Sequence, residues 1–243
     1  MSKSDEWMQP DRLAQSAESE RGNLSAHGDF GCYARVNSTG SLADSGIESH
    51  NLVFADGRGA LYKQMWRGLR LNAIADIGCG LGLTSAALAR QFPAASVYGY
   101  ELSPDAIEFA RRSFPQVTFE CRVINKDCAL ERRLDLILCQ EFYPFTRTAD
   151  LVLQIDVLRG LRNNLADGGC IIVELSERDY DTSILVNLEN ITGFALERRV
   201  MPYDRVFRSL PILPLARLAS FFMRLATRQP RNIHLKFTPL KGH

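Results

Sequence analysis

Asp76-Ile77-Gly78-Cys79-Gly80-Leu81-Gly82 is the stretch on which the fold of this 243-residue chain turns. An apolar run, Ala73-Ile74-Ala75, precedes it, and a helix-like segment, Leu83-Thr84-Ser85-Ala86-Ala87-Leu88-Ala89, follows. Strand, tight glycine turn and helix start in that order place a nucleotide-type cofactor at the carboxyl end of a sheet. Glycines let the backbone approach a ligand where any β-carbon would clash. The acid at the strand end disfavours a pyrophosphate and favours a cationic, amino-acid-like ligand. A dinucleotide fingerprint needs G-x-G-x-x-G, but its third glycine position is Leu83. The spacing present is G-x-G-x-G, at Gly78, Gly80 and Gly82.

Ser96-Val97-Tyr98-Gly99-Tyr100 reads as a second strand, closed by Glu101. An acid about 20 residues beyond a glycine turn is placed to accept hydrogen bonds from ribose hydroxyls. Its two oxygens suit a vicinal diol; the alternative is a solvated strand-end acid. Ser103-Pro104 then opens a helix, with serine as cap and proline in the first turn.

The same alternation continues along the chain. Strands are expected at about 72–77, 96–101, 117–121, 134–139 and 170–174, the last introduced by Asp167-Gly168-Gly169. Helices are expected at about 82–91, 104–113 and 148–163, with Pro93 and Pro115 ending the first two. Before them, Leu61, Met65 and Leu69 have the spacing of one helical face, which predicts a helix packed on the first strand. Apolar strands alternating with helices imply a parallel sheet covered on both faces. The fold class is therefore α/β. Residues 1–30, polar and poor in β-branched side chains, read as a flexible extension, 31–70 as a helical cap and 71–243 as the cofactor-binding domain.

The G-x-G-x-G turn with its preceding acid resembles motif I of the class I S-adenosylmethionine-dependent methyltransferases. Leu165-Ala-Asp-Gly-Gly-Cys-Ile-Ile-Val-Glu174 is similar to the Gly-Gly turn and fifth strand of that family. The resemblance covers about 70–175 in the correct order. It implies a three-layer sandwich around a mostly parallel seven-stranded sheet of methyltransferase type, ending in an antiparallel pair. Ala195–Val200 and Ile233–Phe237 are the candidates for that pair.

The resemblance also implies a site. Gly78, Cys79, Gly80 and Gly82 would pass beneath the methionine part of S-adenosylmethionine, and Asp76 would help hold its ammonium. Glu101 would take the ribose hydroxyls, and Leu102 would lie against adenine. The family's acid after strand three is missing from its usual place, leaving Asn125 or Asp127 for the adenine amino group. Gln140 heads the loop after strand four and joins the cofactor-binding set. In that loop Glu141 or Tyr143 could act as general base. Alternatively Phe142, Tyr143 and Phe145 wall the pocket and Glu141 orients a turn. His27 and His50 are further base candidates, or ordinary surface histidines. No residue set suggests a metal.

The expected activity is methyl transfer to a small-molecule or lipid- or sugar-linked acceptor. Two alternatives stand beside it: a nicotinamide-dependent oxidoreductase, and a non-catalytic cofactor-binding protein on the same fold. A net charge of +1 makes no case for nucleic acid, and aromatic and basic residues are not interleaved as on a nucleic-acid platform. The six cysteines contain no C-x-x-C pair. Cys121, Cys139 and Cys170 fall in or beside apolar runs as small hydrophobes, which suggests a reducing compartment. With neither a leader-like start nor a bilayer-length apolar run, a cytoplasmic protein is the expectation.

The carboxyl-terminal segment is chemically distinct. From Arg205 onward there are eight basic residues and no Asp or Glu. Within it, Leu215, Leu218, Phe221, Phe222 and Leu225 share one helical face, and Arg217, Arg224 and Arg228 another. A basic amphipathic insertion near 205–231 admits three readings: peripheral contact with an anionic membrane, a roof over an acidic acceptor, or burial of its apolar face on the domain.

Overall fold

A computed structural model describes residues 47–146, 150–176 and 193–240, with side chains from residue 52 onward. His27 and the side chain of His50 lie outside the described residues. The chain divides into two compact units, Met1–Ser49 and His50–His243, and every site discussed below lies in the second.

Seven strands form one sheet: β1 Ala73–Ile77, β2 Ser96–Glu101, β3 Thr118–Cys121, β4 Leu134–Gln140, β5 Leu165–Ser176, β6 Phe194–Val200 and β7 Asn232–Pro239. Their order is β3-β2-β1-β4-β5-β7-β6. The first five are mutually parallel, and β7 runs antiparallel to both β5 and β6. The strands of the middle of the sheet are nearly continuous apolar runs because both faces are covered. Leu136, Ile137, Leu138 and Cys139 in β4 are all fully buried.

One face carries α1 (Ile47–Met65), α2 (Leu83–Gln91) and α3 (Pro104–Ser113). Leu61, Tyr62 and Met65 of α1, with Trp66 just beyond it, pack there with Ile74, Leu88 and Ile107. The opposite face carries the short α4 (Tyr143–Thr146) and α5 (Leu151–Arg162). Phe145, Ile155, Leu158 and Leu161 pack there against Ile137, Ile171 and Val173. The result is the expected three-layer sandwich. Local chemistry sets the helix ends. Ser103 Oγ accepts from Ala106 N at 3.3 Å with Pro104 in the first turn of α3. Asp150 Oδ1 accepts from Leu153 N at 3.1 Å ahead of α5.

Three expectations need correcting. β5 begins at Leu165 rather than 170, pairing first with Leu134, and its register shifts before Cys170 meets Leu136. Gly168 has φ +79, and a β-carbon on Gly169 would stand 2.7 Å from the Leu134 carbonyl oxygen, so the two glycines form a bulged entry into the strand. Cys139 and Cys170 are buried as expected, but Cys121 is exposed at the end of β3, the edge strand. Finally, the segment between β6 and β7 folds as α6 (Asp204–Ser209) and α7 (Leu213–Thr227), and α7 turns Ala216 and Ser220 inward. Its large apolar side chains are not buried on the domain, because the inward face is the one with small residues.

The sheet order reverses between β1 and β4. Crossovers leave these neighbours in opposite directions, which opens a crevice outside their carboxyl ends. The β1–α2 turn and the loop after β4 both empty into it.

Candidate active site

The glycine turn is shaped by different demands at each position. Gly82 caps α2 with φ +81, and a β-carbon there would lie 2.6 Å from Phe119 Cζ, so both backbone and packing require glycine. Gly80 also has positive φ (+52), yet a β-carbon there would meet nothing within 4 Å. Gly80 therefore faces open space, on the side where a ligand would approach. Cys79 points the other way, its Sγ toward Gly99 and the core, and burial pushes its thiol well above the ordinary range. Only the backbone of Cys79 is available to the crevice; its N–H already donates to the Tyr100 carbonyl at 3.1 Å.

Two carboxylates flank this turn. Asp76 lies beneath it, 2% exposed, and accepts from Ser85 Oγ at 2.6 Å. Burial raises its pKa to about 7, opposed by the Ser85 bond and reinforced by the negative charge of Glu101. No cation pairs with it among the salt bridges of the described residues. Glu101 closes β2 and is held by backbone amides. Its Oε2 accepts from Gly80 N at 3.1 Å, and its Oε1 from Leu102 N at 2.6 Å and Ser103 N at 3.1 Å. A carboxylate has about four lone-pair sites, so acceptor capacity remains for a ligand. Leu102 is half-buried beside it.

From the β4 side, Gln140 Oε1 accepts from Thr84 Oγ1 at 3.0 Å, tying the strand end to the first turn of α2. Glu141 is exposed and has φ +48, a left-handed conformation uncommon for a non-glycine residue. Its N–H donates to the Glu174 carbonyl at 2.9 Å, which fixes this corner to β5. Phe142 packs against the glycine turn, 2.9 Å from where a β-carbon on Gly78 would sit. Tyr143 starts α4 and is half-buried. The structure thus brings Asp76, the glycine turn, Glu101, Leu102, Gln140 and the Glu141–Tyr143 corner to one crevice.

Asn125 is placed otherwise. Its Oδ1 accepts from Asp127 N at 3.1 Å, closing a local turn. Its carbonyl abuts Gly160, near the carboxyl end of α5.

A second polar group escaped the sequence reading. Glu174 of β5 pairs in register with Gln140 and is fully buried. Tyr62 Oη donates to its Oε2 at 2.6 Å, Asn232 Nδ2 donates to its Oε1 at 3.2 Å, and Arg58 Nη1 stands 3.4 Å from Oε1. The Arg58 guanidinium also pairs with Asp204. Burial alone would lower the pKa of Arg58, but Glu174, Tyr62 and Asp204 lift it above the ordinary value, so it stays charged. Burial pushes Glu174 up and Arg58 opposes that. The available signal was periodicity: Cys170, Ile172 and Glu174 share a strand face, and an acid on a buried face needs a cation. Nothing local named Arg58.

Comparison with known proteins agrees with this geometry. Residues 74–169 match the family described as "Methyltransferase domain". Over that stretch the chain is similar to the methyltransferase domains of that family. A trans-aconitate 2-methyltransferase from Methylobacterium nodulans is 32% identical over 109 residues, which is 43% of this chain and 38% of that protein. A release factor glutamine methyltransferase from Geobacter sulfurreducens is 38% identical over 103 residues, 40% of this chain and 35% of that protein. The match thus spans little more than a third of these curated relatives. Among solved structures, the plantazolicin methyltransferase BamL in complex with a triazolic desmethylPZN analog and SAH superposes with a TM-score of 0.57 at 15% identity, covering 96% of this chain and all of that one. A TehB-like SAM-dependent methyltransferase from Corynebacterium glutamicum gives 0.54 at 16% identity, covering 91% and 99%. At such identities the likeness establishes the fold: the chain has the seven-stranded sheet of its structural neighbours, parallel but for one antiparallel hairpin.

Proposed function

We propose that the protein transfers a methyl group from S-adenosylmethionine to a small-molecule or lipid- or sugar-linked acceptor. The observation that carries this reading is the pair of carboxylates flanking the glycine turn. Asp76 is a buried acid without a cation, raised to about 7, and an ammonium or sulfonium nearby would restore its charge. Glu101 is fixed by three backbone amides and keeps acceptor capacity for a ribose hydroxyl. The open side of Gly80 admits the ligand backbone-close. The same carboxylates oppose the nicotinamide alternative, since a pyrophosphate at this turn would meet negative charge.

The bound donor would supply an already activated methyl carbon. What remains for the chain is alignment, and holding acceptor and donor in line lowers the entropic barrier. Asp76 and the glycine turn would fix the amino-acid end, with Glu101 and Leu102 fixing the nucleoside. Phe142 and Tyr143 wall the acceptor side. Glu141, in its left-handed corner, or the Tyr143 hydroxyl takes the proton when the acceptor must lose one. The acceptors named for the relatives differ among themselves: trans-aconitate, a release factor glutamine and a desmethylPZN analog.

The test is S-adenosylhomocysteine formation over a panel of small carboxylic acids, amines, phenols and lipid- or sugar-linked intermediates, read by mass spectrometry. Methylated product from one acceptor class, reduced in Glu141→Gln or Tyr143→Phe, supports the proposal. Cofactor binding with no product from any class supports the non-catalytic alternative.

A further inference from the structure

The outward face of α7 is apolar where a water-facing helix is normally polar. Leu215, Leu218, Phe221, Phe222 and Leu225 are 46%, 55%, 49%, 60% and 65% exposed. At 100° per residue they fall within one arc of about 120°. Single exposed apolar residues are ordinary, but a contiguous patch of large ones marks an interaction surface. The inward face is small and satisfied: Ala216 is buried, and Ser220 Oγ accepts from Tyr203 N at 3.0 Å.

Charge identifies the partner. Arg217, Arg224 and Arg228 form a ridge along one border of the apolar arc, and α7 contains no acid. Arg205 reaches across from α6, its Nη2 3.5 Å from Met223 Sδ. Arg199 stands near enough to Arg217 to depress its pKa further, after burial. A symmetric antiparallel contact between two copies of α7 would set these arginine ridges against each other. An anionic bilayer accepts both features, with apolar side chains entering the acyl boundary and guanidinium groups at the phosphates. No helix among the described residues is long and apolar enough to cross a membrane, so the contact would be peripheral.

We propose that α7 is an interfacial membrane helix that docks the protein on an anionic lipid surface through its exposed Leu/Phe face and arginine border. This does not depend on the methyl-donor reading.

The full chain is sedimented with phosphatidylcholine vesicles and with mixed phosphatidylglycerol–phosphatidylcholine vesicles, at low and high salt. The expected result is binding to the anionic vesicles alone, weakened by salt. Leu218→Asp/Phe222→Asp is expected to abolish it, and Arg224→Gln and Arg228→Gln to weaken it about fivefold each. Circular dichroism and thermal unfolding of the same variants report that the fold persists. Absence of binding to anionic vesicles overturns the proposal, as does equal binding to neutral ones. So does a wild-type oligomer that Leu218→Asp/Phe222→Asp converts to monomer without any vesicle binding.

Discussion

Two polar groups near the carboxyl ends of the central strands are built by different means. On the β1–β2 side, Asp76, the glycine turn and Glu101 lie within 26 residues of sequence and are held mostly by backbone: turn φ angles and amides donating to Glu101. On the β5 side, Glu174 is held by Tyr62 and Arg58, more than 100 positions away, with Asn232 and Asp204 completing the group. The first, the proposed ligand cradle, leaves its charges partly uncompensated. The second is a compensated network that joins α1, β5, β7 and α6. In the proposed function, binding falls to the unsatisfied group and architectural strength to the satisfied one.

The strongest way to break that contrast is Arg58→Ala, which strands the buried Glu174 carboxylate. Breaking a buried pair costs about 3–5 kcal/mol, so chemical denaturation should show a loss of that size. Cofactor-analogue affinity at temperatures where the variant is folded should stay near wild type. Gly82→Ala attacks the other half. It combines a left-handed backbone with a 2.6 Å approach to Phe119, and overpacking alone costs about 1–3 kcal/mol. Here stability and S-adenosylhomocysteine affinity should fall together.

A smaller effect separates the buried titrating groups. Asp76 is raised to about 7 from 3.8, so the folded state binds the extra proton between those values and stability falls as pH rises through them. His234 is lowered to about 3 from 6.5, by burial first and then by Arg199, Arg217 and Lys236. There the unfolded state binds the extra proton, and stability is lost as pH falls below 6.5. The two slopes oppose across about pH 4–6.5. Relative to wild type, Asp76→Asn should be more acid-sensitive and His234→Phe less so, in urea titrations at several pH values. Asp76 also couples to the ligand. Binding a cation favours its charged form, so analogue affinity should fall below about pH 7 and flatten above it. The smallest expected change is in Thr84→Val, which removes one neutral bond to Gln140, worth about 0.5–1.5 kcal/mol. The β4 strand end should loosen while the fold persists.

This contrast also explains what could be read from sequence. The glycine spacing, the acid at 76, the acid at 101 and the Ser103-Pro104 helix start are local patterns, and local backbone geometry realises them. Glu174 belongs to a network assembled only when α1 and α6 meet the sheet, so its partners carried no sequence signal. Asn125 was placed by distance from β3; its side chain closes a local turn and its carbonyl abuts Gly160 of α5. For α7 the periodicity gave the apolar face correctly. It could not say that Ala216 and Ser220, rather than that face, would turn inward.

The central claim is that the two carboxylates and the glycine turn form an S-adenosylmethionine cradle. Calorimetric titration with S-adenosylmethionine, S-adenosylhomocysteine and NAD, on the wild type and Glu101→Ala, tests it most directly. Expected is saturable binding of both sulfur ligands, weakened about 10- to 100-fold in Glu101→Ala by loss of a charge-assisted bond, and no binding of NAD. Binding of NAD without either sulfur ligand would contradict it.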